Sequence, residues 1–73
     1  MGVVGTELEA LQAVEEKGGQ TNAQSVAKML KMNVDYVRTI LTGLARRDYL
    51  DLSARGLYVM TEKGRQEIER RTG

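Results

Sequence analysis

Apolar positions recur along this chain with two different periods, and the change of period divides it. From Thr6 to Lys17, the residues Leu8, Leu11 and Val14 recur on one face at helical spacing. Thr6 and Glu9 have the spacing of a capping box, in which each side chain accepts from the other residue's backbone N–H. Gly18-Gly19 follows, where a left-handed conformation ends a helix. A second helix is predicted over Asn22 to Met32, with Asn22 as N-cap and a narrow inner stripe of Ala23, Val26, Ala27 and Leu30. Asn33 interrupts that stripe and caps again. A third helix is predicted from Val34 to about Arg47, with Val34, Val37, Ile40, Leu41 and Leu44 sharing a face. Two helices joined this tightly cannot continue one axis and must cross steeply.

The period then falls to two. Tyr49-Leu50-Asp51-Leu52 and Leu57-Tyr58-Val59-Met60 alternate as half-buried strands do, and Ser53-Ala54-Arg55-Gly56 joins them. Gly56 supplies the positive φ that a short hairpin loop needs. Two strands alone are not stable in water, so the hairpin must pack on the helices. Thr61 is placed to cap a last helix, from Glu62 to about Arg71, in which Ile68 is the clear apolar residue. Gly64 is a poor helix former and marks a close backbone approach. Thr21 is a candidate for a short third strand, which the pattern leaves open. The reading is an α+β, mostly helical domain in the order helix, helix, helix, strand, strand, helix.

This order and spacing resemble the winged helix-turn-helix superfamily, over about Thr6 to Arg71. The resemblance rests on Val26-Ala27-Lys28-Met29-Leu30, a turn at Lys31-Met32-Asn33, and then Val37, Leu41 and Leu44. Leu44-Ala45-Arg46-Arg47-Asp48-Tyr49-Leu50 looks like the end of the recognition helix entering the first wing strand, where family members often carry glycine at the position of Asp48. Tyr58-Val59-Met60 followed by Thr61-Glu62-Lys63-Gly64 looks like the second wing strand and the Thr-x-x-Gly helix start of small bacterial and archaeal regulators. Fold alone assigns no function.

At 73 residues the chain is read as one domain, 1–73, with residues 1–5 as a flexible lead. The 41% hydrophobic and 29% charged composition is that of a globular chain. The three aromatics are all tyrosine, so an aliphatic core is expected. No apolar run approaches the roughly 18 residues of a membrane span. Met1 to Gly5 lacks the basic and apolar regions of a signal peptide, so a cytoplasmic location is the default expectation.

With no histidine and no cysteine, the usual general base, thiolate nucleophile and zinc ligands are missing. Ser25 and Ser53 have no base beside them, and Gly18-Gly19 lacks the Lys-Ser or Lys-Thr of a phosphate-binding loop. The expectation is a non-enzyme with no cofactor and no metal.

The net charge of +1 is uneven. Residues up to Ala27 carry four acids and one base, net −3, and residues from Lys28 onward carry ten bases and six acids, net +4. That asymmetry points to an anionic partner for the second part, although an ordinary solvated surface would give the same totals.

The resemblance implies that the third helix enters the major groove of double-stranded DNA with the wing beside it. The helical wheel puts Asp35, Thr39, Thr42 and Arg46 opposite the core stripe, flanked by Arg38 and Gly43. Arg38 matches guanine N7 and O6, and Thr39 and Thr42 match thymine methyls or phosphates. Arg46 and Arg47 suit the backbone, and Arg55 at the wing tip suits phosphate or the minor groove. The same arginines at a helix C-terminus are also favoured by the helix dipole alone. Asp35 suits a helix first turn but repels phosphate. Gln24, Lys28, Lys63 and Arg65 are further phosphate candidates that also read as solvated surface, and Tyr36, Tyr49 and Tyr58 read as packing. The leading expectation is a DNA-binding transcriptional regulator. The alternative is a winged-helix module that binds protein instead, with the acidic first helix as contact surface. A homodimer would use Val3, Val4 and the first helix, because the last helix shows no heptad. A third reading is that the chain is one domain of a longer protein, which would make either function depend on its context.

Overall fold

A computed structural model describes residues 5–72. The flexible lead expected at residues 1–5, and the part of the dimer surface placed on Val3 and Val4, fall outside the described residues except for Gly5. The elements run α1 (Thr6–Glu16), β1 (Gln20–Thr21), α2 (Ala23–Leu30), α3 (Val34–Arg46), β2 (Leu50–Leu52), β3 (Tyr58–Met60) and α4 (Glu62–Thr72). This is the winged helix-turn-helix fold, with one strand more than the pattern established. Gln20 and Thr21 pair antiparallel with Val59 and Tyr58, which puts β3 in the centre of a sheet of order β1-β3-β2.

Local signals set most element ends. The Asn22 side chain accepts from Ser25 N at 2.8 Å, and the Asn33 side chain accepts from Asp35 N and Tyr36 N at 2.8 and 3.2 Å. The α1 start differs from expectation. Gly5, at φ 56, is the N-cap and its carbonyl accepts from Glu9 N at 3.1 Å. Thr6 is therefore already helical, no side chain caps α1, and the Thr6–Glu9 capping box does not form. The second helix also stops two residues earlier than expected, because Lys31 takes the left-handed conformation at φ 57. Met32 N then donates back to Ala27 O at 2.9 Å, which closes the tight turn into α3. After α3, Asp48 adopts φ 69, the left-handed backbone for which glycine is favoured at this turn.

The core lies between the three N-terminal helices and one face of the sheet. Leu11, Val14, Val26, Val37, Leu41, Leu44 and Leu50 are its largest fully buried side chains. Burial of each contributes about 1.5–3 kcal/mol relative to exposure. Val34 and Ile40, read as members of the α3 core stripe, are only partly buried at its margin. Tyr49 and Tyr58 are buried, so the core is not purely aliphatic.

Gly64 is enclosed on α4. A Cβ there would overlap the Tyr49 carbonyl oxygen and come within 2.7 Å of Met60 Sδ. Thr61 organises the same corner: its Oγ1 donates to Asp48 O at 2.7 Å and accepts from Gly64 N at 3.0 Å. Thus α4 is held against the exit of α3 by the Thr61 hydroxyl, the close approach at Gly64 and the Lys63 ammonium, which donates to the Arg47 carbonyl.

Candidate nucleic-acid interface

The helix α3 turns Val37, Leu41 and Leu44 inward, so its opposite face is open to solvent. Arg38 and Thr39 are exposed there, and both meet Asp35. Arg38 Nη1 lies 3.0 Å from Asp35 Oδ1, and Thr39 Oγ1 donates to the Asp35 carbonyl at 3.1 Å. Arg46 is exposed at the last turn, and a Cβ on Gly43 would meet nothing within 4 Å. That surface is therefore smooth between Thr39 and Arg46.

Two of the sequence-selected residues have side chains engaged within the domain. Thr42 is half-buried, with its Oγ1 3.2 Å from the Tyr58 hydroxyl of β3. Arg47 Nη1 donates to both carboxylate oxygens of Glu7 on α1 at 3.2 Å, and its guanidinium lies 5.3 Å from the Tyr49 ring centroid. Arg55 stands at the exposed wing tip. Its backbone N donates to Ser53 Oγ at 3.3 Å, and Gly56 beside it has φ 80.

A groove of about 370 Å³ joins these parts. Asn22, Ala23 and Gln24 from the start of α2, Arg38 from α3, and Leu52, Gly56 and Tyr58 from the hairpin all line it. The third helix, through Arg38, and the wing therefore share one concave surface. A second groove of about 520 Å³ runs along Gln24, Lys28 and Lys31 beside Met32. Of the other cationic candidates, Lys63 donates to Arg47 O at 2.8 Å and sits 4.6 Å from the Tyr49 centroid. Arg65 faces Glu15 at 3.6 Å.

The residue-by-residue reading missed three things. Tyr36, for which packing is expected, is 53% exposed, and Leu52 is 55% exposed. Tyr36 lies between the inward and outward faces of α3, where the wheel does not decide. The participation of Asn22 in the groove, beside the phosphate candidate Gln24, carries no signal in α2 itself, because it arises from how α2 crosses α3. The Arg38–Asp35 pair does carry a sequence signal, its i,i+3 spacing on one helix. Among the described residues no group of three or more His, Cys, Asp or Glu side chains is arranged to hold a metal ion. Among the described residues no helix is long and apolar enough to cross a membrane.

No protein-family model and no curated protein matches the chain. Solved structures do match its fold. A candidate transcriptional regulator of Pseudomonas aeruginosa is 21% identical with a TM-score of 0.86, over 92% of this chain and 48% of its own. Bordetella bronchiseptica BpsR, described with regulation of its DNA binding by 6-hydroxynicotinic acid, is 24% identical with a TM-score of 0.83, over 93% of this chain and 52% of its own. The reduced form of MarR from E. coli is 13% identical with a TM-score of 0.83, over 93% and 50%. The chain spans about half the length of these structures. At these identities the likeness establishes the fold, and the chain is a winged helix-turn-helix domain.

Proposed function

We propose that this domain binds double-stranded DNA as part of a transcriptional regulator, with α3 in the major groove and the wing on the adjacent backbone. The observation that carries this reading is the shared groove lined by Arg38 of α3 together with Leu52 and Gly56 of the wing. Recognition helix and wing then meet a duplex together. Arg38 and Thr39 address base edges, while Arg46 and Arg55 address phosphates. Thr42 and Arg47, both tied to other elements, hold the surface in shape. The domain carries out no chemistry of its own and needs no cofactor, and its place of action is the cytoplasm. BpsR, which shares the fold, is a protein whose DNA binding is regulated. A single recognition module buries roughly 600–1,000 Å² on DNA, so two copies of the domain, or a partner protein, would strengthen binding.

The test is an NMR titration of the chain with a random-sequence duplex at low salt. Shifts on Arg38, Thr39, Arg46 and Arg55 that added salt reverses are the expected result. Counterion release gives a slope of about −0.9 in log K against log salt for each phosphate contacted.

A second reading, a protein-binding winged helix, draws on the exposed apolar Tyr36 and Leu52 and on Asp35 in the same face. Absence of shifts at high duplex concentration favours it, and binding of a protein partner would then be insensitive to salt.

A further inference from the structure

The wing is internally firm but short. Its ladder pairs Leu50 with Met60, Asp51 with Val59, and Leu52 with Tyr58. Beyond the ladder, Ser53 N donates to Leu57 O at 2.8 Å, and Ser53 Oγ accepts from Arg55 N and Leu57 N at 3.3 and 3.2 Å. The tip therefore moves as one piece, and its direction is set at its root. The neighbouring strand β1 pairs only with Val59 and Tyr58, so its support stops at Tyr58 and does not reach the tip.

At that root stands Tyr58, the first residue of β3, between Thr21 of β1 and Leu52 of β2. Its ring is buried, and its hydroxyl meets Thr42 Oγ1 on α3 at 3.2 Å. This side-chain pair joins α3 to the second strand of the hairpin. The pair lies beside the groove that holds Arg38, so any swing of the wing about this tie changes the distance between Arg38 and Arg55.

We infer that the Thr42–Tyr58 hydroxyl pair is a positioning device that sets the wing against the recognition helix, so that both residues govern DNA binding without touching DNA. This rests on the DNA reading for its functional consequence, but the tie itself can be tested without DNA. Thr42 has a hydroxyl that the pair uses and a methyl that a thymine contact would use, and substitutions separate the two.

The test compares Y58F, T42V, T42S and R55A, with the Y58F/R55A double variant, each first shown to fold by its thermal midpoint. Backbone relaxation of residues 53–56 is measured in the free proteins, and affinity for a duplex pool in the bound state. Loss of one hydrogen bond predicts that Y58F and T42V each bind about fivefold more weakly, while T42S keeps the hydroxyl and binds as the parent does. The wing tip becomes more mobile in Y58F and T42V alone. R55A weakens binding in the parent but much less in Y58F, because an unheld wing no longer presents Arg55. Parental binding by Y58F together with weakened binding by both T42V and T42S would mean that Thr42 reads DNA directly, and would overturn the inference. An unchanged wing tip in free Y58F overturns it too. No salt-dependent binding by the parent chain defeats the DNA reading, and the free-protein relaxation then decides the tie on its own.

Discussion

The two sides of this domain treat their charges differently. On the side built from α1 and α4, cations meet acids. Arg47 reaches across to Glu7, Arg65 faces Glu15, and Arg70 and Arg71 both close on Glu67, whose side chain is only 3% exposed. Burial of that carboxylate is tolerable because two guanidinium groups offset its lost hydration. On the side built from α3 and the wing, Arg38 has the single exposed acid Asp35, and Arg46 and Arg55 make no side-chain ion pair among the described residues. The surplus of acids before Ala27 is thus partly neutralised within the molecule by bases from the second part. The cations of α3 and the wing take little part in this neutralisation, as do Lys28 of α2 and its C-cap Lys31. A net charge of +1 conceals this, because the total does not say which cations already have partners.

The contrast can be broken in order of expected effect. Gly64→Ala forces a Cβ into the Tyr49 carbonyl and the Met60 sulfur, and should cost about 3 kcal/mol of stability in a urea titration. A near-normal midpoint would mean that the α4 corner is looser than described. Arg38→Ala should lower affinity for a selected site by about 2 kcal/mol and relax the base preference at one position, with the thermal midpoint retained. Equal losses on every sequence would move Arg38 to a phosphate. Arg46→Ala should weaken binding to all duplexes alike, by about 1 kcal/mol, and reduce the salt slope by about one. Glu7→Gln probes the other side. The Glu7–Arg47 pair is more than a third exposed at both ends, so its loss should cost only about 0.5 kcal/mol of stability and leave DNA binding untouched. Weaker DNA binding in Glu7→Gln would show that Arg47 is shared between the scaffold and the ligand.

How far the sequence could be read follows the range of the interactions involved. Asn22, Asn33 and Thr61 cap their helices through bonds to residues two or three positions away, so each was visible as a local signal. The inward stripe of Val37, Leu41 and Leu44 was visible because a helix repeats every 3.6 residues, and the outward face followed by subtraction. Gly56 and Gly64 were visible because glycine tolerates a positive φ in the first case and a touching carbonyl in the second. The capping box at Thr6 misled, because the same residues fit a helix that starts one position earlier, on a glycine.

Tertiary structure alone decided the remainder. The strand at Gln20–Thr21 exists because β3 lies beside it with open backbone groups, which no local pattern of two residues announces. Arg47 and Arg46 are neighbours with the same chemistry, yet one closes on Glu7, forty residues away, while the other stays in solvent. Thr42 and Thr39 were equivalent on the wheel, but Thr42 meets Tyr58 and Thr39 meets only its own helix. Periodicity fixes the direction of a side chain relative to its own helix axis. What stands in that direction depends on how the helices cross and where the hairpin lands, and those are set by the packing of the whole core.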